Sequence, residues 1–421
     1  MPPFQFIPRT YLHFDTPVTE EMAALIATDP SAVAKHPFNP LITYNVTSQK
    51  IRKKVGGGVE RKKPKVRPIS YAGHKDSHIF AHYSTILCEL YERQLQARGL
   101  QQVATAFRSL EHRRNIHFAD EVFEFIKAQG NCAVLASDIS DYFGSMGHDH
   151  LKRPWGRLLG VDRLPDDHFA VFRAITRYCT VDRVKLCHVL GLDPDRPRAD
   201  GRQRFCSPHQ FRQMVRGNGL CTVNRTGHGI PQGTPISAVL SNIYMLEFDT
   251  VMHAEVAAHG GLFRRYCDDI IFVVPTPEIR VKLLTLMTAL VRDLGLEAHP
   301  DKTEAIDFGQ TGGRLVASKP LNYLGFTFDG ENKRIKPASV ARFYMKMRRG
   351  VGRTKAIRFR ACKKAGVWTP IKRRKLHILY SYLGRHNFLS YAFDAAKIMN
   401  DPGIKRQVKA HWHKLQTLIT Q

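Results

Sequence analysis

The chain has 421 residues, of which 43% are hydrophobic, so it is long enough to bury a substantial core in two to three domains. No run of about 18 apolar residues is present and prolines interrupt the N-terminus, so the sequence predicts neither a membrane span nor a targeting segment. Lys and Arg exceed Asp and Glu by 64 to 37, a net charge of +27 that predicts a polyanionic partner.

The eight cysteines show no C-x-x-C spacing and lie mostly in apolar context. This usage is typical of reduced thiols and predicts a cytoplasmic protein. A zinc site is the alternative interpretation for one irregularly spaced set. That set is Cys179, Cys187, His188, Cys206 and His209.

The N-terminal third combines flexible and helical patterns. Residues 1–75 are rich in Pro, Gly and cations, and segment 53–70 predicts a mobile hairpin. Apolar periodicity with start and stop residues predicts helices over 76–99 and 118–130. A buried strand is predicted over 131–140.

The remainder alternates helices with one prominent hairpin. Helices are predicted over 165–179, 207–217, 234–256 and 276–295, and Ser207 followed by Pro208 is typical of a helix start. Between the last two helices, residues 261–274 predict a hairpin. After residue 330 the chain is predicted to be helical and basic to its end. Together these elements predict a mixed sheet covered by helices.

Acidic residues stand at two predicted strand ends. Asp268 and Asp269 occupy the hairpin turn, where two carboxylates about 5 Å apart repel by roughly 3 kcal/mol at an effective dielectric near 20. If the strand that ends at Asp138 lies beside this hairpin, three carboxylates converge and provide the oxygen ligands that Mg²⁺ prefers. Two such ions are suited to nucleotidyl transfer. A solvated Asp-rich turn is the alternative.

Positive charge concentrates at the C-terminal end. Residues 331–421 contain 23 Lys or Arg and three acidic residues, which accounts for +20 of the net charge. Cations there alternate with aromatic residues, a pattern that favours nucleic-acid backbone contact. A solvated basic face is the alternative.

Six sequence blocks resemble those of reverse transcriptases and occur in the order of that family. The resemblance covers residues 57–330 and implies an α+β right-hand polymerase fold, with fingers, a palm of mixed antiparallel sheet with helices, and a basic α-helical thumb. The implied domains are 1–135 (N-terminal segment and fingers), 136–330 (palm, with a mainly helical insertion around 157–227) and 331–421 (thumb). The blocks are "KKPKVRPI" (62–69), "ASDISDYFGSM" (136–146), "GIPQGTPISAVLSNIYM" (229–245), "YCDD" (266–269), "LGLEAHPDKTE" (294–304) and "LNYLGFTF" (321–328).

The resemblance implies a catalytic centre with two Mg²⁺ ions. Asp138, Asp268 and Asp269 would ligate the metals, with the carbonyl of Ile139 as a further donor. Lys302 would protonate the departing pyrophosphate as a general acid, and a surface lysine is the alternative.

The resemblance also implies a nucleotide site. Lys65 and Arg67 alternate onto one face of a strand and would grip the triphosphate, unless they are simply a solvated basic strand. The ring of Phe143 would leave no space for a 2′-hydroxyl and thus selects deoxynucleotides; a core position is the alternative. The "PQG" turn brings backbone close to the nucleotide, or only shapes the turn into its helix. The implied nucleotide-binding residues are Lys65, Arg67, Ile139, Tyr142, Phe143, Gln232 and Gly233.

The segment with Phe107 and Arg108 resembles the "unknown group" of bacterial reverse transcriptases associated with phage defence, most of all its class 2. Retron and group II intron enzymes resemble the chain less, and the length predicts no RNase H, integrase or protease domain. The class implies a structured non-coding RNA template, a cDNA product, dNTPs and antiphage protection. A template-independent or protein-primed DNA polymerase and a maturase-like RNA-binding protein are the alternatives. The implied nucleic-acid contacts are Arg108, Lys372, Arg373, Arg374 and Lys375, with primer support from Leu324 and Gly325.

Overall fold

The computed structural model describes residues 3–49, 51–53, 59–61, 63–110, 112–299 and 302–421. Its helices are α1 (Glu20–Thr28), α2 (Pro30–Ala34), α3 (His74–Ala97), α4 (Asn115–Gln129), α5 (Tyr142–Ser145), α6 (His148–Leu159), α7 (Asp166–Thr176), α8 (Arg183–Val189), α9 (Pro208–Gln210), α10 (Ser237–Tyr244), α11 (Leu246–Ala258), α12 (Pro277–Asp293), α13 (Pro337–Ala365), α14 (Arg373–Tyr380), α15 (Phe388–Ile398), α16 (Pro402–Val408) and α17 (His411–Thr420). Its strands are β1 (Leu41–Ser48), β2 (Ile51–Lys53), β3 (Val59–Arg61), β4 (Lys65–Tyr71), β5 (Cys132–Asp138), β6 (Cys179–Asp182), β7 (Thr222–Val223), β8 (Leu262–Tyr266), β9 (Asp269–Val274), β10 (Glu304–Thr311), β11 (Arg314–Ala317), β12 (Leu321–Tyr323), β13 (Phe326–Phe328) and β14 (Lys333–Ile335).

The chain divides into two compact units, each assembled from discontinuous segments. The first unit comprises residues 1–107, 139–251 and 287–298, and the second comprises 108–138, 252–286 and 299–421. The division into fingers, palm and thumb at residues 135 and 330 stays a prediction. Among the described residues, no helix combines the length and apolarity needed to cross a membrane.

The first unit contains a four-stranded sheet in the order β4-β1-β6-β7. β1 pairs antiparallel with β4 and parallel with β6. One face of the sheet packs on a core that includes Leu12, Ile42 and Phe205. The predicted hairpin in segment 53–70 is confirmed by the antiparallel pairing of β2 with β3, while residues 54–58 and 62 of that segment lie outside the described residues.

The second unit contains a five-stranded antiparallel sheet in the order β11-β10-β5-β9-β8. The apolar run of β9 is buried, as the sequence predicted, and β5 lies at the centre of the sheet. Phe123 of α4 stacks on Phe328 of β13 at 4.9 Å between ring centroids, which joins the helix to the small sheet β12-β13-β14. Burial of these large rings anchors the strands whose ends carry acidic residues.

The helices predicted over 76–99, 118–130, 165–179 and 276–295 are confirmed to within a few residues. Segment 207–217 differs: Ser207 caps a short α9, but the chain then continues as a π-helical turn, Phe211–Arg216. The helix predicted over 234–256 is two helices that meet at Met245. The hydroxyl of Tyr244 donates to the carbonyl of Leu294 and accepts from the amide of Gly147, and these tertiary bonds hold the end of α10.

The helical C-terminal segment begins later than predicted, because residues 333–335 form a strand that pairs with β13. Lys333 is 3% exposed, and its ammonium group contacts the carboxylates of Asp120 and Glu124. Lys333 is therefore the buried member of an ion cluster of the second unit, whereas a basic helix would have presented it to solvent.

Candidate active site

The two predicted acidic strand ends lie side by side in the second unit. Asp138 is the last residue of β5, Asp269 is the first residue of β9, and the two are direct partners in the antiparallel ladder. Directly opposed side chains share a face of the sheet, with Cβ atoms about 5 Å apart. The register thus brings together two carboxylates that are 131 positions apart in sequence.

A two-residue turn, Cys267–Asp268, joins β8 to β9, because Tyr266 is paired with Asp269. Cys267 has φ of +59°, the backbone geometry of the first position of a type II′ hairpin turn, where Gly is usual. The guanidinium of Arg265, which is fully buried, donates to the carbonyl of Cys267 at 3.1 Å. This bond holds a strained turn in place and fixes the backbone that carries Asp268 and Asp269.

The electrostatics of the turn are those of crowded carboxylates. Burial, together with the negative charges of Asp268 and Asp138, raises the pKa of Asp269 to about 7, although Lys302 and Lys336 act in the opposite direction. Near pH 7 the folded protein therefore holds a proton on this group that an exposed aspartate would release. A cation bound beside the carboxylates would favour loss of the proton from Asp269.

Lys302 lies at the same strand end. Its ammonium group donates to a carboxylate oxygen of Asp138, and the amide of His299 donates to the carbonyl of Asp138 at 2.7 Å. A hydrogen bond of 2.8 Å between the hydroxyl groups of Ser137 and Thr303 joins the segment that carries Lys302 to β5. The structure thus places the predicted general acid in contact with one predicted metal ligand.

The described residues contain no preassembled cage of three or more His, Cys, Asp or Glu side chains around a common point. This holds both for the three carboxylates and for the Cys and His residues of the alternative zinc site. The donor chemistry at the strand ends nevertheless fits Mg²⁺, which prefers hard carboxylate oxygens. Burial and the repulsion between these carboxylates both raise the pKa of Asp269, and a bound cation would relieve that repulsion. Asp138, Asp268 and Asp269 are the residues that would hold such an ion.

A cavity of about 370 Å³ opens beside Asp269. Leu324 and Gly325 form its far side as a two-residue turn between β12 and β13, with φ of +44° and +93°, the signs of a type I′ turn. The hydroxyl of Tyr323 is buried and has no hydrogen-bond partner among the described residues. The lining residues are Asn115, Tyr266, Asp269, Asn322, Tyr323, Leu324, Gly325 and Lys336.

Asn115 and Lys336 also line this cavity, and the sequence did not predict either as a site residue. The side-chain amide of Asn115, at the start of α4, donates to the carbonyl of Leu324 at 3.0 Å and to the hydroxyl of Tyr391 at 2.9 Å. Lys336 donates its amide to the carbonyl of Gly325 at 2.9 Å. An Asn at a helix start and a Lys before Pro337 are common capping and boundary residues, so no sequence signal distinguished these two.

The predicted nucleotide-binding residues lie in the first unit, and backbone hydrogen bonds join several of them. The amide of Ser70 in β4 donates to the carbonyl of Gln232 at 2.8 Å, and the amide of Ile230 donates to the carbonyl of half-buried Phe143 at 2.9 Å. Gly233 has φ of +113°, and a Cβ there would lie 2.7 Å from the carbonyl oxygen of Ser70. Only glycine therefore allows the "PQG" turn to approach β4 this closely.

Other predicted positions differ in their exposure. Lys65 and Arg67 are exposed and share one face of β4. Tyr142 is buried and its hydroxyl donates to the carbonyl of Ser241 at 2.6 Å, while Ile139 is buried and forms a backbone bridge with Ala298. In the structure Tyr142 thus stabilises the first unit.

The predicted nucleic-acid contacts lie in the second unit. Arg108 is half-buried. The run from Lys372 to Lys375 is exposed at the start of α14, and Lys372 and Lys375 line a groove of about 540 Å³ between α13 and α14. Cationic side chains there are free to meet phosphate from solvent.

One protein family matches part of the chain. Residues 198–328 match the family described as reverse transcriptase (RNA-dependent DNA polymerase). No curated protein matches the chain.

Solved structures that match include three telomerases. Apo telomerase from Candida tropicalis has 9% identity and a TM-score of 0.47 over 96% of this chain and 64% of that chain. Its form truncated from the C-terminal domain has 11% identity and a TM-score of 0.42 over 76% and 61%. Telomerase from Candida albicans in complex with a TWJ fragment of telomeric RNA has 9% identity and a TM-score of 0.44 over 95% and 58%. The chain spans about three fifths of the length of these telomerase chains.

The family match covers the "PQG" turn, the "YCDD" hairpin and the β12-β13 turn. Together with the mixed helices and antiparallel sheets, it confirms the α+β polymerase fold class. Residues 198–328 match the reverse transcriptase family, whose enzyme class is the one that the sequence predicted, an RNA-directed DNA polymerase with nucleotidyltransferase chemistry.

Proposed function

We propose that the chain copies a companion structured non-coding RNA into cDNA. The observation that carries this proposal is the register that pairs Asp138 with Asp269 beside a turn holding Asp268, within a chain whose reverse transcriptase domain includes that turn. The net charge of +27 supports an RNA partner, because Lys and Arg bind phosphate and release its counterions.

In this proposal the carboxylates organise the reaction centre. Asp138, Asp268 and Asp269 would hold two Mg²⁺ ions, and such ions would activate the attacking hydroxyl and stabilise the charge of the leaving pyrophosphate. Lys302 carries a proton at Nζ, in contact with Asp138, and delivers it to the leaving group. Arg265 keeps the turn rigid, so that the carboxylates do not need to reorganise during the reaction.

The first unit supplies nucleotide selection in the same proposal. Lys65 and Arg67 bind the triphosphate, and the "PQG" turn positions the sugar and base through its backbone. Phe143, held by its carbonyl bond to Ile230, excludes a 2′-hydroxyl and thereby selects dNTPs. Leu324 and Gly325 support the primer end in the cavity beside Asp269.

We place this activity in the cytoplasm of a bacterium, as part of antiphage defence. The support is the resemblance of the segment containing Phe107 and Arg108 to the class 2 defence enzymes, together with a cysteine usage that is typical of reduced thiols. If defence depends on cDNA, replacing Asp268 and Asp269 with Ala removes protection against phage in a plaque assay. Protection that survives both substitutions would contradict a catalytic role.

A maturase-like RNA-binding function is the second candidate, and one observation favours it. The exposed cations from Lys372 to Lys375 and the +20 charge of residues 331–421 suit RNA folding as well as synthesis. Primer extension on a defined RNA template separates the two. The wild-type protein is expected to extend a DNA primer with dNTPs, and D268N/D269N is expected to bind the same RNA without extending the primer. Wild-type binding without extension would favour the maturase-like function.

A further inference from the structure

We propose that a second pocket, in the first unit, holds one unpaired nucleotide of an RNA strand. This inference deepens the proposed function and rests on it, since it supposes that the chain binds RNA. The pocket has a volume of about 440 Å³. We call it the tyrosine pocket, and its chemically distinctive lining residues are Tyr11, Tyr44, Tyr71, Phe205, Arg183 and Arg198.

The aromatic side chains form a stacking surface. The rings of Tyr11 and Tyr71 lie 5.1 Å apart, and those of Tyr44 and Tyr71 lie 6.2 Å apart. Tyr44 remains 37% exposed although it stands among other rings. A partly exposed aromatic ring of this kind suits a nucleobase, because base–aromatic stacking contributes about 1–3 kcal/mol and is insensitive to sequence.

The pocket also provides a partner for phosphate. The guanidinium of Arg183 lies 5.7 Å from the ring centroid of Tyr44, and one of its nitrogens donates to the carbonyl of Pro194 at 3.3 Å. The Nε atom of the same side chain is buried without a hydrogen-bond partner among the described residues. Arg198 is exposed, and none of the described residues that line the pocket is acidic. Arginine donors of this kind bind phosphate strongly, and the orphaned Nε is a donor that a ligand would satisfy.

The walls of the pocket are fixed by hydrogen bonds. The amide of Phe205 donates to the carbonyl of His13 at 2.9 Å, which joins the loop after α8 to the N-terminal segment. Arg202 donates to the carbonyl of Phe205 at 2.9 Å and pairs with Asp200 at 2.5 Å. A preformed pocket reduces the ordering cost of binding.

The course of β4 favours a nucleotide within a strand over a free one. Tyr71 and Ile69, which line the pocket, lie on the same face of β4 as Arg67 and Lys65. The exposed cations Arg67 and Lys65 therefore follow the pocket along one face of β4, two residues apart. In the absence of an incoming nucleotide, whose triphosphate the proposed function assigns to the same two side chains, a strand that places one base in the pocket would meet these cations with its neighbouring phosphates.

Binding of an unstructured RNA tests this inference. The probe is a fluorescein-labelled oligouridine 12-mer, and the protein is the full chain with D268N/D269N, so that synthesis does not contribute. Y44A is expected to weaken binding by about 5- to 150-fold, the loss of one stacked base, with the salt dependence unchanged. Y44F is expected to bind like the parent. R198Q is expected to reduce the slope of log K against log salt by about 0.7.

F169A provides the matched control, since Phe169 is another exposed ring of the first unit, outside the pocket. Binding of Y44A within twofold of the parent, or an equal loss in F169A, would overturn the inference. Displacement of the probe by millimolar AMP from the parent would identify a free nucleotide as the occupant and overturn the strand assignment. Absence of DNA synthesis by the wild-type chain, with Y44A still deficient in binding, would contradict the proposed function alone.

Discussion

At the scale of single residues, Asp269 connects the proposed catalysis with the stability of the fold. Its folded-state pKa of about 7 lies above the ordinary value of 3.8, so the folded protein binds a proton that the unfolded chain releases between these values. The metal-free protein therefore loses stability as pH rises from about 4 to 7. D269N removes this loss, and its melting temperature in EDTA should vary less over that range. D293N, at an exposed aspartate of α12, is the control.

The same substitution is expected to abolish synthesis. Loss of a ligand that contributes several kcal/mol to the transition state lowers the rate by about 1,000-fold or more. A D269N protein that keeps the parental pH slope of stability would contradict the electrostatic account. A D269N protein that extends primers at the parental rate would contradict the assignment of the site.

Phe143 is expected to control the choice of sugar. F143A opens space beneath the nucleotide, so the ratio of kcat/KM for dNTPs to that for rNTPs should fall, by tenfold for each 1.4 kcal/mol of lost discrimination. F169A is expected to leave this ratio unchanged, because the ring of Phe169, on α7, contacts Phe172 and Lys152. An unchanged ratio in F143A would make the residue a packing element of the first unit.

Several single-residue properties were visible in the sequence, and others were not. The paired aspartates predicted a site because adjacent carboxylates at a strand end require compensation. Cys267 gave no such signal, since its role depends on φ of +59° and on the buried guanidinium of Arg265. The contact between Lys302 and Asp138 joins residues 164 positions apart and needs the register of β5 with β9 and β10.

At the scale of elements, the turn between β12 and β13 depends on α4. Asn115 donates to the carbonyl of Leu324, so N115A leaves that carbonyl and the hydroxyl of Tyr391 without this partner. We expect a loss of about 1–3 kcal/mol in the free energy of unfolding, measured by urea denaturation.

The turn would also be misplaced relative to the primer end. N115A should therefore raise the KM for primer–template while leaving the KM for dNTPs close to the parental value. N322A is the matched control, because Asn322 lines the same cavity and its side-chain amide donates to the nearby carbonyl of Pro320. Equal kinetic effects of N115A and N322A would contradict a positioning role for Asn115.

The elements that sequence patterns predicted well are those with long apolar periodicity, such as α3, α12 and the buried run of β9. Patterns failed where tertiary contacts decide the outcome. The break at Met245 follows from the hydrogen bonds of Tyr244, and β14 follows from burial of Lys333 against Asp120 and Glu124. A lysine in a basic segment is predicted to be solvated unless its acidic partners are known.

At the scale of the whole molecule, the charge distribution predicts how RNA is held. Replacing Lys372, Arg373, Arg374 and Lys375 with Gln removes four exposed cations, so the slope of log K against log salt should become shallower by about 3 if all four contact phosphate. Binding is measured by fluorescence anisotropy between 50 and 300 mM salt, on the order of the range where such slopes are resolved.

An equal removal of charge from the first unit serves as the control, at exposed Arg153, Arg163, Arg173 and Arg177. A shallower slope in this control, with none in the C-terminal variant, would move the RNA contact to the first unit. The composition of each unit from three separate segments lay beyond sequence reasoning, because it depends on long-range contacts.

The central claim is that the chain copies RNA into DNA of defined sequence. Sequencing the DNA made by the purified protein with the RNA that accompanies it tests this claim most directly. We predict DNA complementary to that RNA, made by the wild-type protein and absent from D268N/D269N. DNA whose sequence bears no relation to the bound RNA would contradict templated synthesis and favour a template-independent or protein-primed polymerase.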